Sequence, residues 1–201
     1  MDDEYCGKCD YGWLDDGRRC PCVIRKMLLP KIGERFVDAS LDNFEPRNAS
    51  AKKAKEKISA NPDGSFFIYG DLGTGKSHLV RALYHRDLEK GRYDSKFTTD
   101  WSLRKSLIAS EMGEAWPEIS VTDFTREGCR ALFWDDIGKR EKYTPFLRSE
   151  IFAIIDEIYA RNLRLVISSN LDLNALADED MLDQPTCRRI DEICEPIELR
   201  I

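Results

Sequence analysis

The octapeptide Gly70-Asp71-Leu72-Gly73-Thr74-Gly75-Lys76-Ser77 decides the fold of this 201-residue chain. It follows the apolar run Ser65–Tyr69 and precedes a helical pattern that contains Leu79, Val80 and Leu83. This strand–loop–helix context is the one that a phosphate-binding loop requires. The glycines permit positive φ angles and close approach of the main chain, and the loop N–H groups bind anions at a helix N-terminus. The octapeptide therefore predicts a site for a nucleoside triphosphate.

Two side chains of this loop have predicted roles in the chemistry. We expect Lys76 to contact the β- and γ-phosphates and the Ser77 hydroxyl to bind Mg²⁺. We interpret His78, the next residue, as a local polar contact within the helix.

A second apolar run, Ala131–Trp134, ends in two carboxylates, Asp135 and Asp136. Beside a phosphate loop, Asp135 would hold the Mg²⁺ shell and Asp136 would orient or deprotonate the attacking water. The spacing of roughly 60 residues from the loop favours a strand next to the one that precedes the loop. The alternative interpretation is a strand that simply ends in a polar turn.

A third apolar run leads through Ser168 and Ser169 to Asn170. An amide at the tip of such a strand can reach between the γ-phosphate and the water. Alternatively, Asn170 is a turn former that begins the next loop.

Alternating apolar runs and amphipathic helical patterns from Ser65 onward indicate an α/β fold. The predicted strands are Ser65–Tyr69, Lys96–Thr99, Ala131–Asp135, Arg164–Ser168 and Pro196–Leu199. Predicted helices begin near Gly75, Trp101 and Pro145, and a further one covers Ser50–Ala60. We expect three parts: a cysteine-rich module over residues 1–24, a connector over 25–62 and the main α/β domain over 63–201.

Four of the seven cysteines form two close pairs near the N-terminus. The pairs are Cys6 with Cys9 and Cys20 with Cys22, and Gly7, Gly12 and Gly17 supply the turns. Four thiolates at this spacing suit tetrahedral Zn²⁺ in a closed structural site. The alternatives are surplus reduced thiols or a redox pair, and an iron–sulfur cluster. We expect the other three cysteines to pack in the core.

Composition restricts the function further. The chain is 42% hydrophobic and 34% charged, and its net charge of −6 equals that of the segment from Asp172 onward, which has nine acidic and three basic residues. This acidity argues against strong binding to nucleic acid by one chain alone, although an oligomer could still bind. No apolar run approaches the ~20 residues of a membrane span. The acidic N-terminus does not read as a signal peptide, so we expect a cytoplasmic protein with no membrane partner.

In combination, these motifs resemble the AAA+ ATPases of the DnaC/DnaI helicase-loader and IstB group. The similarity extends over nearly the whole chain, through the cysteine pair and Cys-Pro-Cys, Asp42-Asn43-Phe44, Tyr69–Leu79, Trp134–Gly138, Ser169-Asn170-Leu171 and Arg188–Glu195. The resemblance implies a P-loop NTPase fold of the AAA+/ASCE type. It implies a parallel sheet of about five strands in the order 5-1-4-3-2, flanked by helices and preceded by a small zinc module.

The resemblance also implies roles for individual residues. Asn170 falls on the sensor-1 position, and Arg189 on the arginine finger that enters a neighbouring subunit's nucleotide site, with Arg188 as the alternative. Asn43 and Phe44 fall on the adenine pocket. The predicted catalytic residues are then Lys76, Asp135, Asp136, Asn170 and Arg189, and the nucleotide-binding residues are Asn43, Phe44 and Gly70 through His78.

The implied cofactors are Mg²⁺ and Zn²⁺ with ATP, and the implied activity is loading of a replicative DNA helicase. The zinc module would contact the helicase, and ATP would drive self-association. Single-stranded DNA would bind the segment Asp100–Arg126, which contains Arg104, Lys105, Trp116 and Arg126 and whose basic and aromatic residues suit that role. A solvated helix face explains the same residues. The alternatives are an IstB-like helper of a transposase and a nucleotide-binding adaptor with vestigial hydrolysis.

This sequence departs from the group's pattern in places. Most AAA+ proteins have Glu at the position of Asp136, although this group often has two Asp residues here. The shorter side chain predicts slow hydrolysis. Asp156-Glu157-Ile158-Tyr159 stands where relatives have Arg-Tyr. Because the sequence ends two residues after its last predicted strand, we expect little or no C-terminal lid.

Overall fold

The computed structural model describes residues 6–125, 129–138, 142–178 and 180–201. Within these ranges the fold is built on a five-stranded sheet in which every neighbouring pair of strands is parallel. The strands are β1 (Phe66–Gly70), β2 (Lys96–Thr99), β3 (Ala131–Ile137), β4 (Arg164–Ser169) and β5 (Glu195–Leu199). Their order across the sheet is β2-β3-β4-β1-β5, which confirms the predicted order when counted from the opposite edge.

One prediction about the sheet is wrong. β3 pairs with β2 and β4, so the strand that carries Asp135 does not lie next to β1. β4 takes that place, pairing with β1 from Phe66 opposite Val166 to Tyr69 opposite Ser169. Separation along the chain does not decide which strands become neighbours. Although β4 comes later in the sequence, it lies between β1 and β3 in the sheet.

Helices cover both faces of this sheet. They are α1 (Pro21–Ile32), α2 (Ala49–Ala60), α3 (Lys76–Glu89), α4 (Asp100–Glu111), α5 (Val121–Thr125), α6 (Pro145–Ala160), α7 (Leu173–Leu176) and α8 (Gln184–Ile193), with a 3₁₀ helix at Glu34–Phe36. Side chains cap the N-termini of several helices. Those of Asn48, Thr99 and Thr144 accept hydrogen bonds from N–H groups in the first turns of α2, α4 and α6. None of these helices, within the described residues, is long and apolar enough to cross a membrane.

The alternation of side chains along the strands divides the core into two layers. Phe66, Ile68 and Phe133 face the layer that contains α1, α2 and α3. Phe67 and Trp134 face the layer that contains the other helices. The connector belongs to the first layer, and α1 runs without a break across residue 24. The division into 1–24, 25–62 and 63–201 stays a prediction.

Candidate nucleotide-binding site

The loop between β1 and α3 requires glycine at two positions. At Gly70, with φ 128°, an added Cβ would lie 2.0 Å from the carbonyl oxygen of Leu199. At Gly75, with φ 99°, it would lie 2.5 Å from Cε2 of Phe44. The close approach at Gly70 lets the loop bond to β5, because the Asp71 N–H donates to the Leu199 carbonyl oxygen at 2.9 Å. A larger residue at either position would displace backbone or the connector.

Lys76 lies over the loop at the N-terminus of α3. Its side chain is buried, and Nζ donates to the carbonyl oxygens of Gly70 at 2.8 Å and Asp71 at 2.7 Å. The Thr74 hydroxyl donates to the same Asp71 oxygen at 2.8 Å. The loop thus gathers a cation beside the first turn of a helix, where the helix dipole also favours an anion.

A cleft of about 450 Å³ opens beside this loop, a size that suits a small-molecule ligand. The loop residues Leu72 through His78 line one side, and Asp136 and Asn170 lie on the same cleft. The remaining lining comes from the connector: Arg35, Phe36, Asn43, Phe44, Glu45 and Arg47. The structure therefore brings together the predicted phosphate loop, adenine-side residues, second carboxylate and sensor. Asp135 lies beneath this surface and is fully buried.

A bulge at the end of β3 separates the two carboxylates. The register between β3 and β4 shifts between Trp134 and Ile137, and Asp136 has a φ of 64°. Such a bulge re-aims a side chain, and Asp is among the few residues other than glycine that adopt a left-handed φ. Asp135 consequently points into the protein, whereas Asp136 reaches the cleft.

Ser168 on β4 contacts both carboxylate residues, and sequence reasoning gave it no role. Its hydroxyl accepts the Asp136 N–H at 2.9 Å and donates to Asp135 Oδ1, and the residue is fully buried. The one available signal was a pair of serines at the end of an otherwise apolar strand. That signal did not indicate which of the two would face the site.

Arg81 on α3 is the second residue that sequence reasoning missed. Its guanidinium forms an ion pair with Asp135, and its Nη1 donates to the Ser77 carbonyl oxygen at 3.3 Å. It also lies over the Phe36 ring, 4.3 Å from the centroid. A charged residue one helical turn after Ser77, amid the apolar positions of α3, was the available signal.

Asn43 and His78 shape the cleft by fixing the connector. The Asn43 amide accepts the Ser40 N–H at 2.9 Å and donates to the Asp38 carbonyl oxygen at 2.8 Å. His78 Nε2 lies 2.9 Å from the Ser40 carbonyl oxygen, and its ring is 5.4 Å from that of Phe44. The interpretation of His78 as a local polar contact within its own helix is therefore wrong, because its ring bonds to the connector.

Arg188 and Arg189 lie on α8 and line a different cleft, of about 720 Å³. Arg189 Nε donates to Asp156 Oδ1 at 2.5 Å, and its guanidinium lies 4.5 Å from the centroid of Phe152. Arg188 is more exposed and pairs with Glu192 at 3.0 Å. Neither arginine is among the described residues that line the P-loop cleft of its own chain.

The four N-terminal cysteines converge as the sequence predicts. The sulfur atoms of Cys6, Cys9, Cys20 and Cys22 all lie within 4.8 Å of one another. Three of the pairs are separated by 3.5–3.9 Å, close to the ~3.8 Å between sulfurs of a tetrahedral site with Zn–S bonds of about 2.3 Å. The donor set therefore fits zinc.

Helix α4, in the segment predicted to bind DNA, has an exposed face. On this helix, Trp101 is 64% exposed and Lys105 is exposed as well. Trp116 lies beyond the end of α4 and is 94% exposed. Arg104 instead turns inward, over the Tyr143 ring at 4.6 Å from the centroid. Arg126 lies outside the described residues.

Tyr143 links the start of α4 to the turn that follows β3. Its hydroxyl donates to Asp100 Oδ1 at 2.6 Å and accepts the Gly138 N–H at 3.2 Å. Burial raises the pKa of the Asp100 carboxyl and also that of the Tyr143 phenol.

Comparison with known proteins identifies the family. The family model described as the bacterial DnaA ATPase domain matches residues 37–183. The chain belongs to this family. The chromosomal replication initiator protein DnaA of Kosmotoga olearia is 29% identical over 195 residues, which cover 88% of this chain and 40% of that protein. The chain thus spans less than half the length of the curated relatives that it matches.

Solved structures agree with this assignment at the level of fold. The crystal structure of the DnaC helicase loader has a TM-score of 0.66 at 24% identity and covers 83% of this chain and 99% of that chain. AMPPCP-bound DnaA from Aquifex aeolicus has a TM-score of 0.63 at 19% identity, with 81% and 50% covered. The predicted AAA+ fold of the DnaC/DnaI type is confirmed. The family match adds DnaA, which sequence reasoning did not name.

Proposed function

We propose that this chain binds and slowly hydrolyses ATP as the switch of a cytoplasmic DNA-replication assembly. One observation carries the proposal: a single cleft joins the loop Leu72–His78 to Asp136 and Asn170. Those are the parts that phosphoryl transfer to water needs, namely a phosphate cradle, a carboxylate for the water and a polar group near the γ-phosphate.

The chain's own residues divide this work. Lys76 would exchange its two carbonyl contacts for the β- and γ-phosphates, and Asp136 would orient the water. Mg²⁺ would be held by the Ser77 hydroxyl and Asp135, and when bound it neutralises charge on the phosphate oxygens. The fit is supported by the donor set, because a hydroxyl and a carboxylate are oxygen ligands of the kind that Mg²⁺ prefers. Asp135 Oδ2 is buried and forms an ion pair with Arg81 in this structure.

We further propose that the assembly loads a replicative helicase onto single-stranded DNA. The structure of the DnaC helicase loader matches over nearly its whole length, and another similar structure is that of the replication initiator DnaA bound to AMPPCP and single-stranded DNA. Zinc held by the four cysteines would stabilise the module that contacts the helicase. The exposed Trp101, Lys105 and Trp116 would contact the DNA strand.

A role in initiation, in which the chain assembles with DnaA at an origin, is the second candidate, favoured by the match of residues 37–183 to the DnaA ATPase domain. The two roles differ in the protein that is bound. Affinity capture with the purified replicative helicase, and separately with DnaA and with a transposase, each with and without ATP, distinguishes them. ATP-dependent capture of the helicase supports the loader, capture of DnaA alone supports the second candidate, and capture of the transposase alone contradicts both.

The arginine finger is tested by mixing two inactive variants. We propose that Arg189 leaves Asp156 and enters the site of a neighbouring subunit, where its charge stabilises the transition state. Lys76→Ala should lose ATP binding, and Arg189→Ala should keep binding but lose hydrolysis. In mixed oligomers, the finger of the first variant can serve the nucleotide of the second, so the mixture should regain activity. Arg188→Ala is the matched control; if it loses activity and Arg189→Ala does not, the assignment moves by one residue.

A further inference from the structure

Arg81 places a guanidinium in contact with both residues that would hold Mg²⁺. Its Nη1 lies 3.3 Å from the Ser77 carbonyl oxygen, and the same nitrogen forms the ion pair with Asp135 Oδ2. The Asp135 side chain has no exposed surface and that of Arg81 is 11% exposed. Water and salt screen such a buried pair only weakly. A second cation at Asp135 therefore meets strong repulsion while Arg81 stays in place.

The Arg81 guanidinium also packs against Phe36 of the connector. Its central carbon lies 4.3 Å from the centroid of Phe36 and 5.5 Å from that of Phe97. Phe36 itself lines the P-loop cleft. Movement of Arg81 away from Asp135 thus requires a change in the packing of the connector against the nucleotide site.

We propose that Arg81 is a resident counter-cation of Asp135 that Mg²⁺ must displace in order to bind. The inference rests on the ATP–Mg²⁺ site proposed above and concerns its regulation. Nucleotide can bind first through the loop and Lys76. Mg²⁺ then binds only at a concentration higher than the one that would suffice if Arg81 did not occupy Asp135. Displacement of Arg81 then loosens its contact with Phe36, so that the connector responds to the metal.

The test measures metal binding directly. Arg81→Met keeps an unbranched side chain for packing on Phe36 and removes the charge. Arg86→Met is the matched control, because Arg86 lies on the same helix but pairs with Asp63, at 2.7 Å. Each protein is saturated with the non-hydrolysable analogue AMPPCP and titrated with Mn²⁺, and free Mn²⁺ is followed by electron paramagnetic resonance.

We expect half-saturation of Arg81→Met at a Mn²⁺ concentration at least about tenfold lower than that of the wild type, the factor that corresponds to ~1.4 kcal/mol. Arg86→Met should match the wild type. Equal half-saturation in all three proteins would overturn the inference and leave ATP binding intact. If AMPPCP binds the wild type neither with nor without metal, the proposed function fails and this inference fails with it.

A second variant covers the case in which Arg81→Met does not fold, since it leaves Asp135 buried without its partner. Arg81→Lys keeps the charge but loses the planar group that stacks on Phe36 and contacts both Asp135 Oδ2 and the Ser77 carbonyl oxygen. We expect it to lower the half-saturating Mn²⁺ concentration by roughly threefold, because a lysine is the weaker competitor at this site. An unchanged or higher value would contradict the proposal.

Discussion

Replacing Ser168 by alanine should damage both the fold and the metal site. The hydroxyl accepts the Asp136 N–H at 2.9 Å and donates to Asp135 Oδ1, and no exposed surface is available for water to replace it. A bond to a charged group contributes about 1.5–3 kcal/mol and a neutral bond about 1 kcal/mol. We therefore expect Ser168→Ala to lower the free energy of unfolding by about 3 kcal/mol. For a domain of this size, that corresponds to a fall in Tm of roughly 6–12 °C.

Ser169→Ala is a closely matched control. Ser169 is also fully buried and also makes two hydrogen bonds, donating to the Ile137 carbonyl oxygen at 3.0 Å and accepting the Leu171 N–H at 2.9 Å. Neither bond involves a carboxylate, so the expected loss is about 2 kcal/mol. Urea unfolding and calorimetry measure both losses.

The second readout separates stability from function. With AMPPCP bound, Ser168→Ala should weaken Mn²⁺ binding, because Asp135 is no longer oriented and Asp136 no longer has its backbone partner. Ser169→Ala should bind Mn²⁺ like the wild type. The reasoning is refuted if Ser168→Ala unfolds at the wild-type temperature, or if both variants lose Mn²⁺ binding equally.

Two further substitutions test the loop and the cysteine cluster. Gly75→Ala should weaken ATP binding at least about tenfold, the effect of ~1.4 kcal/mol, because its Cβ would lie 2.5 Å from Phe44 and φ is 99°; titration with a fluorescent ATP analogue measures this, and wild-type affinity would show that the loop tolerates a side chain. Cys20→Ser should reduce bound zinc from about one per chain to a small fraction, as expected for loss of one of four thiolates. Cys129→Ser should retain the metal, and mass spectrometry of protein purified without chelator would contradict the site if both variants, or neither, contain zinc.

Much of the fold could be predicted because its signals are local. The apolar run before Gly70 forms β1, and Pro145 begins α6 with Thr144 as its cap. Each of these elements is specified by residues within a few positions of one another. The order of the strands came from the resemblance, and the spacing argument that placed β3 next to β1 failed.

The parts that escaped prediction are contacts between elements. Asp135 meets Arg81 from α3 and Ser168 from β4, and nothing in the pattern of either element distinguishes the residue that faces the site from its neighbours. The same holds for the bond between His78 and the Ser40 carbonyl oxygen. Such pairs depend on how the helices and the connector pack against the sheet, and the spacing of apolar residues within one element carries no information about that packing.

The backbone at Asp136 limits how evolution or design could speed up this site. Most AAA+ proteins have Glu there, whose side chain reaches further toward the water. At a φ of 64°, however, Asp and Asn are favoured over other residues that carry a Cβ. Replacing Asp136 by Glu would lengthen the side chain but also strain the backbone. We therefore expect faster hydrolysis only if the bulge between Trp134 and Ile137 is rebuilt at the same time. The bulge, which gives residue 136 its positive φ, thus restricts which carboxylate can face the cleft.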